Sequence, residues 1–316
     1  MKYTIENDYL KAEISELGAT LTKLIDKKSG IDVVLGFDND DDYIRNAGNN
    51  IGATIGRNSN RIGNARFELN GKEYQLTVND NMNQLHGGGI NGFGFRMWKT
   101  EKHSDDEIIL SYFSADGEEG FPGNLQTSVS YKLDRNALIF SFEGESDADT
   151  IFNITNHSYF NLGDKDILNE YLHMTTDTYS PTDEYNLTLD ETLKCEGTPF
   201  DFNEFRRIGD NLERILNIDN NYVWENLDDK LMCELKNDRL QLNIYSDLPD
   251  MHVYTAYYLN TDTSKDNRPY GKFEGIALEA QYYPNGVNYG DHYLLPILRK
   301  GEKMSHYIRY ELINKE

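Results

Sequence analysis

Apolar and polar residues alternate with a period of two along most of this chain, and that alternation restricts it to sheets whose strands bury one face. Tyr3-Thr4-Ile5, Leu10-Lys11-Ala12-Glu13-Ile14, Thr127-Ser128-Val129-Ser130-Tyr131-Lys132-Leu133 and Ala137-Leu138-Ile139-Phe140-Ser141-Phe142 all carry it, and it recurs as far as His306 to Tyr310. The 22 Tyr and 14 Phe suit pleated surfaces better than helices. Asp134-Arg135-Asn136 and Asn70-Gly71 sit between alternating runs, and the second is a strong hairpin signal. Helices are expected to be few and short, one of them over Asn203 to Ile208, and the acidic run Asp38 to Asp42 reads as loop. With no Pro/Ser-rich linker, fixed-period repeat or low-complexity tract, residues 1–316 are expected to form a single all-β domain of large antiparallel sheets.

Charge narrows the partners. Thirty-one Lys and Arg against 54 Asp and Glu give a formal net charge of −23, which repels phosphate backbones and anionic leaflets, so neither nucleic acid nor membrane is an expected partner. A neutral ligand meets no such repulsion. Cys195 and Cys233 lack a CxxC spacing and read as ordinary thiols. The first 17 residues hold no apolar core of a leader, and no window of 18 apolar residues occurs, so a soluble, cytoplasmic protein is expected.

Four segments gather polar groups with catalytic potential. Gly56-Arg57-Asn58-Ser59-Asn60-Arg61 is followed by Leu85-His86-Gly87-Gly88-Gly89, whose glycines allow close backbone approach and expose an imidazole; a turn with a surface histidine fits equally. Asn153 to Leu162 is a strand-like run with His157 and Tyr159 among asparagines, suited to a polar pocket or to a buried network that fixes the core. Ala277-Leu278-Glu279-Ala280-Gln281 places a carboxylate in a strand, either exposed or functional, because a buried unpaired one is costly. Asn217 to Tyr222 reads in isolation as a turn. No histidine pair has HxH or HExxH spacing and no acidic run matches an EF-hand, so no metal is expected.

In this order the segments resemble the galactose mutarotase (aldose 1-epimerase) family, whose GR…NRI, LHGG, NxTNHxYFNL and LExQ motifs match Gly56 to Ile62, Leu85 to Gly88, Asn153 to Leu162 and Leu278 to Gln281. Gly18 to Leu21, Asp32 to Phe37 and Phe93 to Trp98 extend the likeness over about residues 3 to 312. The resemblance implies a β-supersandwich with the sugar in an open cleft, no cofactor, and interconversion of the anomers of a free hexose. It implies Glu279 as the proton acceptor and His157 as the proton donor, with the carboxylate free near neutral pH and neighbouring carboxylates favouring the protonated imidazole. Asn60, Arg61, His86, Tyr159, Asp219 and His252 are then expected to contact the small-molecule sugar, in a monomer or weak homodimer.

Three positions depart from the family pattern. Asn220 follows Asp219 where a His is usual, His252 replaces a Gln, and Tyr282 replaces a His and is expected to alter the cleft wall. Rival readings remain a glycoside hydrolase pairing Glu279 with Asp219, a hexose-6-phosphate epimerase, which calls for several basic residues around the cleft, and a non-catalytic carbohydrate-binding protein.

Overall fold

The computed structural model describes residues 1–265 and 267–315. Two antiparallel sheets dominate it. The larger has nine strands, in the order Lys99–His103, Glu107–Ser114, Leu125–Asp134, Ala137–Ser146, Lys303–Asn314, Leu240–Ser246, Lys230–Lys236, Tyr171–Met174 and Arg206–Arg207. Here the alternation read from sequence holds: Leu125, Val129, Tyr131 and Leu133 point inward at 4% exposure or less, while Gln126, Lys132 and Asp134 are exposed. Both hairpins form. Asp134 pairs with Ala137 across Arg135-Asn136, and Arg66–Leu69 folds onto Lys72–Gln75 through Asn70 (φ 55°) and Gly71 (φ 74°), the two left-handed positions that a tight hairpin turn demands.

The second sheet has six strands, in the order Tyr159–Phe160, Ile276–Gln281, Asp250–Tyr254, Asp219–Val223, Thr178–Ser180 and Leu193–Lys194. Its centre is buried on both faces, and all six residues of Ile276–Gln281 are buried. One face, carrying Ile276, Leu278, Ala280, Met251, Val253 and Tyr222, merges into the main hydrophobic core with Tyr131, Phe140 and Tyr310 of the larger sheet. The other carries Glu279, His252 and Asn221 in one cross-strand row. Period two therefore separates core from site here rather than core from solvent.

Four local expectations are corrected. The helix expected over Asn203 to Ile208 is Ile208–Leu212, because Arg206–Arg207 pairs with Tyr171-Leu172 at the edge of the large sheet. The acidic run does not stay loop: Asn39 caps the helix Asp40–Arg45 by accepting from the Asp42 N–H at 3.0 Å, and three Asp in the first turn suit the positive end of the helix dipole. Asn153 to Leu162 is broken into the two-residue strands Thr155–Asn156 and Tyr159–Phe160. Asn217 to Tyr222 is not a turn; Asp219–Val223 is a strand paired on both edges, since tertiary pairing overrides its turn-forming composition.

Candidate active site

All eight residues expected at the site, from Asn60 to Glu279, line one cavity at the polar face of the six-stranded sheet. Strands of the sheet carry four of them: Tyr159 pairs with Ala277 on the edge strand, His252 lies directly opposite Glu279, and its Nε2 is 2.7 Å from Asp219 Oδ1 on the next strand. Loops bring the rest. His86 donates its backbone N–H to Asn60 O at 3.1 Å, and Asn60 N–H is received by His86 Nδ1 at 3.2 Å, so the two loop motifs are stitched together. Gly87 (φ 66°) permits this contact, since a Cβ there would lie 2.1 Å from Gly56 O. Arg57 anchors the same loop from below, donating to Ser114, Pro122 and Ala115 while 2% exposed, whereas Arg61 reaches the cavity and is held by Asp80 Oδ2 at 2.7 Å.

The Asn153 to Leu162 run serves both readings at once. Asn156 donates to Gly52 O and the Tyr131 hydroxyl, and Asn153 accepts from the Tyr282 N–H, so these two belong to a buried network. His157 and Tyr159 face the cavity with ring centroids 5.0 Å apart. The backbone of His157 is pinned by its N–H to Ala53 O and by Gly52 N–H to its own carbonyl. Across the cavity, His157 Nε2 stands 3.5 Å from Glu279 Oε1, and the two residues are 4% and 1% exposed.

Burial reverses the protonation expected for this pair. It drives the Glu279 carboxyl well above the usual carboxylate range, Asp219 adding to the effect and Arg61 opposing it. It also pushes His157 down to about 4, with the charge of His252 acting in the same direction. Asp219 raises His157, but desolvation wins. Burial also drives His86 well below its ordinary range. Asp219 keeps its charge: burial raises its carboxyl, yet the hydrogen bond and charge of His252, with Arg61, hold it below the ordinary range.

His86, His157 and Glu279 bring possible ligand atoms within 4.8 Å of one another, the only such group of three among the described residues. The geometry of His86 favours an organic ligand there. By accepting from Asn60 at Nδ1 it carries its ring proton on Nε2, making that nitrogen a donor to a hydroxyl rather than a metal ligand.

The departures from the family pattern sort cleanly. His252 faces the cavity. Asn220 does not; its amide donates to Ser180 O. Tyr282 is corrected as a cleft residue: it lies on the opposite strand face from Glu279, its hydroxyl 2.9 Å from His306 Nε2. Sequence reasoning missed Asn49, Asn50, Asn186, Tyr254 and Tyr258 on the cavity wall. Tyr254 was legible, two residues beyond His252 on the same strand face; Asn186 carried no signal.

Comparison with known proteins identifies the family and the fold. The model of the aldose 1-epimerase family matches residues 1–311. The galactose mutarotase of Bos taurus is 34% identical over 317 residues, covering 96% of this chain and 92% of that protein. The aldose 1-epimerase of Escherichia coli K12 is 32% identical over 288 residues, covering 83% and 80%. Among solved structures, an aldose epimerase homologue from C. elegans superposes with a TM-score of 0.92 at 29% identity, covering 100% of this chain and 99% of that one. The galactose 1-epimerase of Lactobacillus acidophilus NCFM gives 0.86 at 28%, covering 99% and 94%.

Proposed function

The chain belongs to the aldose 1-epimerase family, and from that membership we propose that it interconverts the α and β anomers of a free hexose such as galactose or glucose, with Glu279 as base and His157 as acid. The observation that carries the assignment of roles is the Glu279–His157 pair facing each other at 3.5 Å in one polar cavity. Mutarotation needs one group to take the proton from the anomeric hydroxyl and another to protonate the ring oxygen. The C1–O5 bond then opens to an aldehyde, rotation about C1–C2 exchanges its faces, and the reverse proton transfers close the other anomer. No proton is gained or lost over the cycle.

Burial favours the uncharged pair, a protonated Glu279 beside a neutral His157. The charged pair differs from it by the position of one proton. Sugar hydroxyls packed against the carboxylate and imidazolium supply the hydrogen bonds that burial removed, so the substrate itself draws the pair into its working form. Asn60, Arg61, His86, Tyr159, Asp219 and His252 supply donors and acceptors to the remaining hydroxyls, with Asp219 held as an acceptor by His252.

A phosphorylated hexose fits this cavity poorly. Among the described residues lining it, Arg61 is the only Lys or Arg, and Asp80 already takes its Nε–H. Hydrolysis of a glycoside would need Glu279 and Asp219 to act as the pair, yet Asp219 is engaged by His252. Polarimetry on freshly dissolved α-D-galactose and α-D-glucose tests the proposal. Acceleration above the spontaneous rate is expected with wild type and is expected to vanish with Glu279→Gln; if that substitution left the rate at the wild-type level, Glu279 would be removed from the mechanism.

A further inference from the structure

The polar face of the six-stranded sheet continues past the sugar cavity. Asn221, His252 and Glu279 form one cross-strand row, and Val223, Asp250 and Gln281 form the next. Asn221 and Gln281 are 0% exposed and Asp250 is 1% exposed. Nevertheless both amide atoms of Asn221, both of Gln281, Asp250 Oδ2, His252 Nδ1 and Glu279 Oε2 have no protein partner in good hydrogen-bond geometry. Burial pushes the Asp250 carboxyl up to about 8, and Asn221 faces it closely enough to oppose that shift. Asp250 in turn lines a second cavity, with Glu225, Asp291, His292 and Tyr283, that shares no residue with the sugar cavity.

Buried polar atoms in folded chains are nearly always paired, and where protein groups do not suffice, internal water making about three hydrogen bonds does the pairing. Seven such atoms along one sheet face, beginning at Glu279 and ending at a second cavity, are too contiguous to be independent lapses. We propose that Gln281 and Asn221 are positioning residues of the epimerase site: together with Asp250 they hold a line of buried water that hydrogen-bonds the far oxygen of Glu279, fixes the orientation of the carboxylate and sets the pH at which it becomes a base. The proposal rests on Glu279 being the base.

The other groups acting on Glu279 stay in place when the seam is altered. Asp219 and His252 lie on neighbouring strands, His157 and Tyr159 on the Tyr159 side, Arg61 on the loop, and Tyr310 behind the sheet. A change confined to Gln281 or Asn221 therefore reads the seam. Gln281→Met and Asn221→Leu keep volume and remove the amides, so the carboxylate loses hydration and holds its proton to higher pH.

The test is kcat/KM for galactose mutarotation across pH. In both variants the alkaline limb, where the Glu279–His157 pair loses its shared proton, is expected to move up by about one pH unit, with a roughly tenfold lower plateau because the charged form of the pair is disfavoured. A uniform loss at every pH, with the limb unmoved, is what a merely structural role produces and would overturn the proposal. A high-resolution crystal structure of the wild-type protein decides the matter if the variants fail to fold: water bridging Glu279 Oε2 and the Gln281 amide is expected, and a dry seam overturns it. If wild type does not accelerate mutarotation at all, the reading of Glu279 as base falls, while the crystallographic result still settles whether the seam is hydrated.

Discussion

The nine-stranded and six-stranded sheets are built from the same period-two code, yet they use it differently. In Leu125–Asp134 every second residue meets water, so polarity reports exposure. In Ile276–Gln281 none does, so the polar residues Glu279 and Gln281 mark a face turned toward a cavity instead of toward solvent. The lesson is that a polar residue at the outward beat of a buried strand is costly, and its presence there is a functional signal.

The sharpest way to break this contrast is to remove chemistry from one sheet and packing from the other. His157→Asn, like Glu279→Gln, is expected to lower kcat by about 10³-fold or more, near the full contribution of a positioned acid or base. Its thermal midpoint should stay close to wild type. A variant that unfolds instead would mean that the imidazole is part of the scaffold.

Phe140→Ala makes the opposite cut. Phe140 is fully buried, its ring centroid 5.0 Å from that of Tyr131, and truncation should cost about 3–5 kcal/mol in denaturant unfolding. The molecules that remain folded should turn over sugar at the wild-type rate. Loss of activity without loss of stability would show that the large sheet shapes the site directly.

A smaller effect separates binding from chemistry within the site. Arg61→Ala should raise KM by about 10- to 100-fold if its contact with the sugar is equally strong before and during ring opening. Should kcat fall instead, Arg61 steadies charge that develops in the reaction. Initial-rate polarimetry over a range of sugar concentrations distinguishes the two.

How far the sequence was legible follows the same division. The large sheet, its hairpins and the hydrophobic beats of its strands could be read because one face meets water and Asn70-Gly71 has few other uses. At the site, Glu279, His157, His86 and Arg61 were legible through motifs, and their convergence on one cavity follows from register and from the Gly87–Gly56 approach. What escaped was set by distant partners. The strand Asp219–Val223 exists because of its two neighbours, Asn186 enters the wall from a remote loop, and Tyr282 turns from the cleft toward His306. Protonation was misjudged for a related reason: neighbouring carboxylates can be counted in a sequence, but the desolvation that outweighs them cannot.

The smallest prediction compares two buried carboxyls. Glu170, just before the large-sheet strand Tyr171–Met174, is 0% exposed, and burial pushes its carboxyl up to about 8, against the Leu162 N–H it accepts at 2.7 Å. Unlike Glu279 it lines no sugar cavity, so its raised proton affinity acts on folding alone. Between the ordinary value of 4.5 and about 8 the folded chain holds this proton and the unfolded chain does not, so stability falls as pH rises through that window. Glu170→Gln keeps an acceptor for Leu162 and removes the titration. Its stability relative to wild type should be nearly flat with pH below the window and should grow across it, already by about 1–2 kcal/mol near pH 6. A constant difference across pH would mean that Glu170 titrates as an ordinary carboxylate, and the raised proton affinity would then be confined to the site.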